Sequence, residues 1–331
     1  MEPLIILPLI VGFFLTLFFI SVWIKRAKNA GYVGKDIHKN DKREVAEIGG
    51  ISTLVGFILG TLVYIAIKTF YFKTTENLVE IFALLNVVLM ASFVGLFDDI
   101  LGWKIGLNKK VRIFFLIFAS IPLIVINAGE SEMLGIEFGL FYPLFFIPLG
   151  IVGATATYNF LAGQNGLEAT QGILILSALS LATWFSGTAW LSLILIIMVF
   201  CLAAFYIYNK YPSEIFPGDT MTYSIGAMIG CAAILGNIEK ITIFFFIPYI
   251  IETVLKVRGG LKKESFLKLE KDGSLEMPYE KIYSLSHLAV LILKKIKPSK
   301  KVYEKEVVYV INIFQIAIIV LGFVLFGGEL N

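Results

Sequence analysis

Residues 3–24 read PLIILPLIVGFFLTLFFISVWI and are followed at once by Lys25, Arg26 and Lys28, with only Met1 and Glu2 ahead of them. An uncharged run of this length crosses the roughly 30 Å hydrocarbon layer as a helix, for which about 17 to 25 residues are needed. The flanks reverse those of a cleavable signal peptide, which carries its basic residues in front of the apolar run. The run is therefore expected to stay as a span with its N-terminus outside, since Lys and Arg are held on the cytoplasmic side.

Nine further runs of comparable character lie near residues 48–67, 78–97, 113–129, 140–158, 169–185, 189–208, 220–238, 241–255 and 307–327. With 58% hydrophobic residues and a mean hydropathy of +0.84, a soluble core would leave a large apolar surface uncovered. The expected fold is an all-α integral membrane protein, residues 1–331 forming one polytopic domain with about ten transmembrane helices. The sixth and ninth runs are short and the 185–189 turn is tight, so nine spans remain open.

Charge assigns the loops. Twenty-five of the 28 Lys and Arg residues fall in alternate loops, thirteen of them in residues 256–306, while the opposite loops hold only Lys68, Lys73 and Lys240. The loop after the fourth run is acidic, with Glu130, Glu132 and Glu137. Ten spans then leave both termini outside and the basic loops in the cytoplasm. A net charge of +3 concentrated there suits anionic lipid headgroups or phosphorylated substrates, and no nucleic-acid partner is expected. Cys201 and Cys231 lie inside apolar runs without metal-site spacing and read as packing residues.

The polar interruptions cluster on the basic side. Phe93-Val-Gly-Leu-Phe-Asp98-Asp99 ends the third run with two carboxylates about 100° apart on a helix. One can face a site while the other is held by a neighbour such as Lys104; if the two approach, one pKa rises and yields a proton acceptor. A plain helix end is the bland alternative. Loop five, Tyr158-Asn159-Phe160-Leu161-Ala162-Gly163-Gln164-Asn165-Gly166-Leu167-Glu168-Ala169, has no basic residue. Its Gly163 and Gly166 permit turns and close ligand approach, and Asn159 and Asn165 offer neutral oxygens, although a hairpin connector also has such a composition. Phe216-Pro217-Gly218-Asp219-Thr220 opens the eighth run. Asp219 suits a helix N-terminus, and equally Mg²⁺, which takes a few oxygen ligands plus substrate phosphates. In loop one, Gly34-Lys35-Asp36-Ile37-His38-Lys39, Lys39 and Lys42 suit a phosphate or simply mark the inner face. Glu47, beside Gly49-Gly50, has no topogenic role.

Loop nine, residues 256–306, reads as a small cytosolic subregion. Phe266 to Leu269, an Asp272-Gly273 turn and Leu275 to Met277 alternate as a hairpin. Leu285, Leu288, Leu291, Ile292 and Ile296 then keep helical spacing, as expected of an amphipathic helix on the inner leaflet, with His287 interfacial.

Phe97-Asp98-Asp99, Asn159 through Asn165-Gly166-Leu167-Glu168-Ala169, Pro217-Gly218-Asp219-Thr220, and Leu275-Glu276-Met277 with Tyr279, taken in order, resemble the polyprenyl-phosphate N-acetylhexosamine-1-phosphate transferase family over nearly the whole chain. The eukaryotic and archaeal UDP-GlcNAc:dolichyl-phosphate branch is the nearest in pattern. The resemblance implies a ten-helix fold in the plasma membrane, a cytoplasmic-face site, and Mg²⁺, with Mn²⁺ as a substitute. It implies transfer of HexNAc 1-phosphate from a UDP-sugar to dolichyl or another polyprenyl phosphate with release of UMP, as a first step of lipid-linked glycan assembly for protein N-glycosylation. A homodimer is also implied.

By position, Asp219 and Asn159 would hold the metal, and Asn165, with Gly166 and Glu168 beside it, would meet uracil. Glu47 would line the nucleotide-sugar pocket, and Asp98 and Asp99 would serve as base or nucleophile. Lys109, Lys110 and Arg112 compete for the phosphate position, with Lys110 preferred for catalysis. Lys39, Lys262 and Lys263 complete the expected substrate contacts. Two positions depart: Ala156 stands where relatives often carry Asn, and Arg258-Gly-Gly-Leu-Lys262-Lys263-Glu264 replaces a Pro-Arg-His-Arg or His-rich run. The donor sugar is thereby left open. A secondary transporter is the rival, although its polar groups belong near the midplane between repeated halves. A CDP-alcohol phosphotransferase lacks its Asp-Gly-x-x-Ala-Arg run here.

Overall fold

Each apolar run folds as helix because, in a bilayer, backbone polar groups must be satisfied within the segment. A computed structural model of the chain describes residues 3–41, 43–102, 106–133 and 136–330. Lys42 and Lys104 lie outside the described residues.

A short 3-10 turn leads into α1 (Leu7–Ala30), followed by a hairpin of β1 (Val33–Lys35) and β2 (Glu44–Ala46). α2 (Gly50–Ala66) runs into a π-helical turn, and α3 (Leu78–Leu101) returns. The fourth run is divided into α4 (Lys109–Ala119) and α5 (Ile121–Val125), and β3 (Glu132–Met133) pairs with β4 (Ile136–Glu137) beyond it. A π-helical turn, Tyr142–Phe146, opens α6 (Ile147–Tyr158). Next come α7 (Leu167–Phe185), α8 (Ala189–Asn209) and α9 (Gly218–Leu235). The ninth run is divided into α10 (Glu239–Phe245) and α11 (Ile247–Arg258). Loop nine holds β5 (Lys268–Leu269), β6 (Leu275–Glu276) and α12 (Leu285–Ile296), and α13 (Glu304–Phe326) closes the bundle.

Among the described residues, six helical stretches are long and apolar enough to cross a membrane. They are Leu4–Ala30, Gly50–Tyr71, Leu78–Leu101, Leu167–Phe185, Ala189–Asn209 and Glu304–Glu329. The chain is an all-α membrane protein. The remaining apolar runs are helical but shorter or interrupted, and two of the interruptions have one cause. Pro122 and Pro248 sit just inside α5 and α11, where a missing N–H is tolerated but the preceding helix cannot continue. At the second break, Gln315 Nε2 on α13 donates to the Phe245 carbonyl at 2.9 Å.

α9 is the axis of the bundle. Every residue from Thr220 to Leu235 is buried, as expected of a helix with neighbours all round. It packs along α3 and α6 and touches α2, α7 and α8. The approach of α3 is closest at Gly95, where a side chain would collide with the backbone of Asp219 and Thr220. Large apolar side chains such as Phe14, Phe18, Phe93, Phe97 and Val324 project from the outer surface, the arrangement lipid demands.

The hairpin expected in loop nine is present, with Leu269 opposite Leu275 and Gly273 at φ +81°. α12 exposes Leu291, Ile292 and Ile296 but buries Leu285, Ser286, Ala289 and Val290. His287 is not interfacial. Its side chain is fully enclosed, and Nδ1 accepts the Tyr283 N–H at 3.2 Å.

Candidate functional site

The ends of α1, α3, α6, α8 and α11 meet the beginnings of α2, α4, α7, α9 and α13 at one end of the bundle. Loop one is stitched to the segment before α9: Phe216 N–H donates to Ala46 O at 2.7 Å, and Gly49 and Gly50 donate to Phe216 O and Pro217 O, both at 2.9 Å. Between these loops and loops five and nine lies a cavity of about 1190 Å³.

Asp99 and Asp98, adjacent in the last turn of α3, face different partners. Asp99 accepts the Asp219 N–H at 2.7 Å, the Thr220 N–H at 3.0 Å and the Thr220 hydroxyl at 2.6 Å. It therefore occupies the N–H groups that open α9, where a carboxylate also suits the positive helix end. Asp98 accepts the Leu107 N–H at 2.5 Å and Arg112 Nη2 at 2.6 Å. Arg112 reaches onward with Nη1 to Asp219 Oδ2 and to the Tyr223 hydroxyl, each at 3.4 Å. Asn159 Nδ2 donates to Asp219 Oδ1 at 3.1 Å, and the Thr222 hydroxyl donates to Asn159 Oδ1 at 3.1 Å.

Asp98 and Asp219 thus share one guanidinium, while Asp99 beside them has no basic partner among the described residues. Excess negative charge beside hard oxygen donors fits a small divalent cation, and Asp219 with the Asn159 amide is the donor pair that faces the cavity. A half-turn of the Asn159 amide would present its oxygen on the side of the Asp219 carboxylate.

Glu47 lines the cavity near Asp99. Its backbone is pinned by the Trp23 indole, which donates to Glu47 O at 2.8 Å. Burial, and after it the negative charge of Asp99, hold the Glu47 carboxyl above the usual range.

The other wall comes from loop five. Gly163 and Gly166 have φ of +107° and +84°, which only glycine adopts without strain. Asn165 donates its backbone N–H to Glu304 at 2.7 Å and its amide to Asp36 at 3.0 Å. No described residue donates to its side-chain oxygen. Glu168 lines the cavity, but its carboxylate turns back onto the Gly163 N–H at 2.9 Å and so braces the loop. Lys262 and Lys263 stand on the loop-nine wall, and the Lys263 ammonium lies 4.6 Å above the Tyr279 ring. Ala156, Ile100, Ile113 and Leu116 form an apolar side, and Ile100 and Ile113 are also exposed on the outer surface.

Two of the expected residues stand apart from the cavity wall in this geometry. Lys110 does not reach the cavity: Asn108 caps α4, Lys109 and Arg112 face inward, and Lys110 lies round the helix, exposed. Lys39 is not a free phosphate ligand: it is buried, paired with Glu304 and Asp36, and absent from the wall. Asp98 is a third qualification, since it stands behind Arg112 and does not line the cavity. The sequence reading missed Tyr223, Thr222 and Glu304. Glu304 carried a signal, an acid beginning an apolar run amid lysines; Tyr223, one helical turn beyond Asp219, carried one only by spacing.

The profile of "Glycosyl transferase family 4" matches residues 81–237, which include Asp98, Asp99, Arg112, Asn159, Asn165 and Asp219. A protein of Saccharolobus solfataricus, provisionally named a UDP-N-acetylglucosamine–dolichyl-phosphate N-acetylglucosaminephosphotransferase, is 38% identical over 294 residues, covering 86% of this chain and 88% of its own. A protein of Dictyostelium discoideum bearing that name is 29% identical over 271 residues, covering 69% of this chain and 65% of its own. A phospho-N-acetylmuramoyl-pentapeptide-transferase of Streptococcus pyogenes is 24% identical over 265 residues, 76% of this chain and 78% of its own. Fold and site together define a polytopic membrane glycosyl transferase. The chain belongs to glycosyl transferase family 4.

Proposed function

We propose that the protein transfers N-acetylglucosamine 1-phosphate from UDP-N-acetylglucosamine to dolichyl or a related polyprenyl phosphate, releasing UMP. One observation carries the reading: a large cavity joins a carboxylate–guanidinium cluster on one side to apolar residues exposed at the bundle surface on the other. A nucleotide sugar has the charge for the first and a polyprenyl tail has the surface for the second. The names of the relatives point the same way.

In the reaction, an oxygen of the lipid phosphate bonds to the phosphorus that carries the sugar. The bridge to the second phosphorus breaks, and UMP leaves with the bridging oxygen. The sugar's own C–O bond is untouched. A phosphate monoester with its second pKa near about 6 is largely dianionic at neutral pH, so the attacking oxygen needs alignment and charge neutralisation more than a base. Arg112 is the cation aimed at that place, and Asp98 behind it fixes the fork. Asp99 sets the backbone from which Asp219 projects. Asp219 and Asn159 would hold Mg²⁺ or Mn²⁺. A divalent ion bound there supplies neutralisation of pyrophosphate charge. The unpaired Asn165 oxygen suits the imide N–H of uracil, and Lys109, Lys262 and Lys263 give the wall positive charge.

The topology proposed with this function has ten membrane passages, with the termini outside, the lysine-rich end in the cytoplasm, and the protein in the plasma membrane. Alternation of chain direction at each helical run and the charge bias support it. Purified protein incubated with radiolabelled UDP-N-acetylglucosamine and dolichyl phosphate should form a lipid-linked sugar pyrophosphate and UMP. EDTA should stop the reaction and added Mg²⁺ restore it. Release of UDP in place of UMP, or uptake of substrate into sealed vesicles without a product, would overturn the proposal.

A further inference from the structure

A second cluster of ionisable groups is built into the cavity wall, with Asp36, His38 and Asn165 lining the cavity and Lys39 and Glu304 behind them. Asp36, His38, Lys39, Asn165 and Glu304 come from loop one, loop five and the first residue of α13, and all are buried. Glu304 accepts the Asn165 backbone N–H through one oxygen and the Lys39 ammonium through the other. Lys39 Nζ is also 3.5 Å from Asp36 Oδ2 and 3.9 Å above the centre of the Tyr211 ring. Asp36 Oδ2 accepts the Asn165 amide at 3.0 Å. His38 extends the cluster: Nε2 accepts the Leu267 N–H at 3.2 Å, while Nδ1 faces Glu304 at 3.7 Å. Asp36, His38 and Glu304 have ligand atoms close enough to hold a metal ion. The Lys39 ammonium already sits against both carboxylates, so a cation is in place without one.

Loop five turns on two glycines at positive φ, and its own brace, Glu168 on the Gly163 N–H, does not bond to Asn165. The backbone N–H and the side-chain amide nitrogen of Asn165 each bond to a carboxylate on another element, which leaves its side-chain oxygen for a ligand. The same cluster, through His38, holds the segment carrying Phe266, another residue of the cavity wall. We propose that Lys39 and Glu304, with Asp36 and His38, form a buried ionic latch that sets these two walls and acts as a group of positioning residues for the nucleotide half of the donor. The inference rests on the donor being a UDP-sugar. Removing one member of a buried pair leaves an uncompensated charge and releases Asn165.

The test uses full-length purified Lys39→Met, Glu304→Gln, the charge-balanced double variant Lys39→Met/Glu304→Leu, and Lys39→Arg. KM for UDP-N-acetylglucosamine, KM for dolichyl phosphate, and kcat are measured for each. Lys39→Met and Glu304→Gln should raise the donor KM about tenfold or more, a loss of about 1.4 kcal/mol, while the lipid KM stays within about twofold. Lys39→Arg should restore the donor KM. If a single variant does not fold, the double variant carries the test, since it buries no lone charge from this pair and still deprives the Asn165 N–H of its acceptor. An unchanged donor KM, equal changes in both KM values, or a Lys39→Arg variant as impaired as Lys39→Met would overturn the inference. A wild-type protein that turns over no UDP-N-acetylglucosamine would instead overturn the proposed function.

Discussion

Successive residues on a helix point about 100° apart, and in the last turn of α3 that rotation separates Asp98 from Asp99 by role. Asp99 spends its oxygens on the first N–H groups of α9, with the Thr220 hydroxyl as the third donor. Thr220→Val removes one of these bonds and should cost about 1 kcal/mol of stability. A severalfold fall in kcat should accompany a lowered melting point in detergent. Asp219→Asn and Asp98→Asn should each lower kcat by about a hundredfold or more, read in the lipid-product assay, because one weakens the oxygen donor set and the other releases Arg112. The basic residues make a sharper contrast. Arg112 bridges Asp98, Asp219 and Tyr223 at once through two nitrogens of its fork, a span that the single nitrogen of an ammonium does not reproduce. Arg112→Lys should lose about tenfold or more in kcat, whereas Lys110→Ala should stay within about twofold, its side chain being exposed away from the cavity. The candidate site was legible in sequence as far as residue type and order reached. It was not legible where rotation about a helix decides, as with Lys109, Lys110 and Arg112, or where a partner lies far off in the chain, as with Lys39 and Glu304.

Among the elements, the apolar runs were legible because hydrophobicity alone compels a helix in lipid. Their interruptions were less so, though Pro122 and Pro248 lay in plain view inside the runs at 113–129 and 241–255. Apolar character along a run does not register a missing N–H. α3 and α9 illustrate what no hydropathy count contains. Their backbones nearly touch at Gly95, one turn before Asp99, so the distance between the helices is also the distance between Asp99 and the groups it holds. Gly95→Val should force the helices apart and cost about 1 to 3 kcal/mol. Activity should fall further than thermal stability does, measured by comparing turnover with melting temperature.

Over the whole molecule, the start of α12 is bonded to the bundle through Glu252, which accepts the Leu285 N–H at 2.6 Å, and beside that contact His287 is buried and neutral. Burial, and then the Lys256 charge, push its pKa down to about 4 from an ordinary 6.5, against a smaller opposing effect of the Phe266 backbone. Between these values the unfolded chain takes up a proton that the folded protein refuses. Stability should therefore be full above pH 6.5 and decline as the pH falls through about 4. Melting temperatures at pH 7.5, 5.5 and 4.5 should show the decline, and His287→Gln should flatten it. The hairpin's Asp272-Gly273 turn was readable as local chemistry, whereas enclosure of His287 depends on elements the sequence does not place together.

Every group assigned to the cavity hangs from one end of the helices, while the turn joining α7 to α8 at Gly187 lies at the other and carries none of them. α7 and α8 pack closely along their lengths. Continuity of the peptide at that turn is consequently dispensable to chemistry: two gene fragments divided after Gly187 and expressed together should meet in the bilayer and reconstitute a working enzyme, although neither fragment alone contains both Asn159 and Asp219.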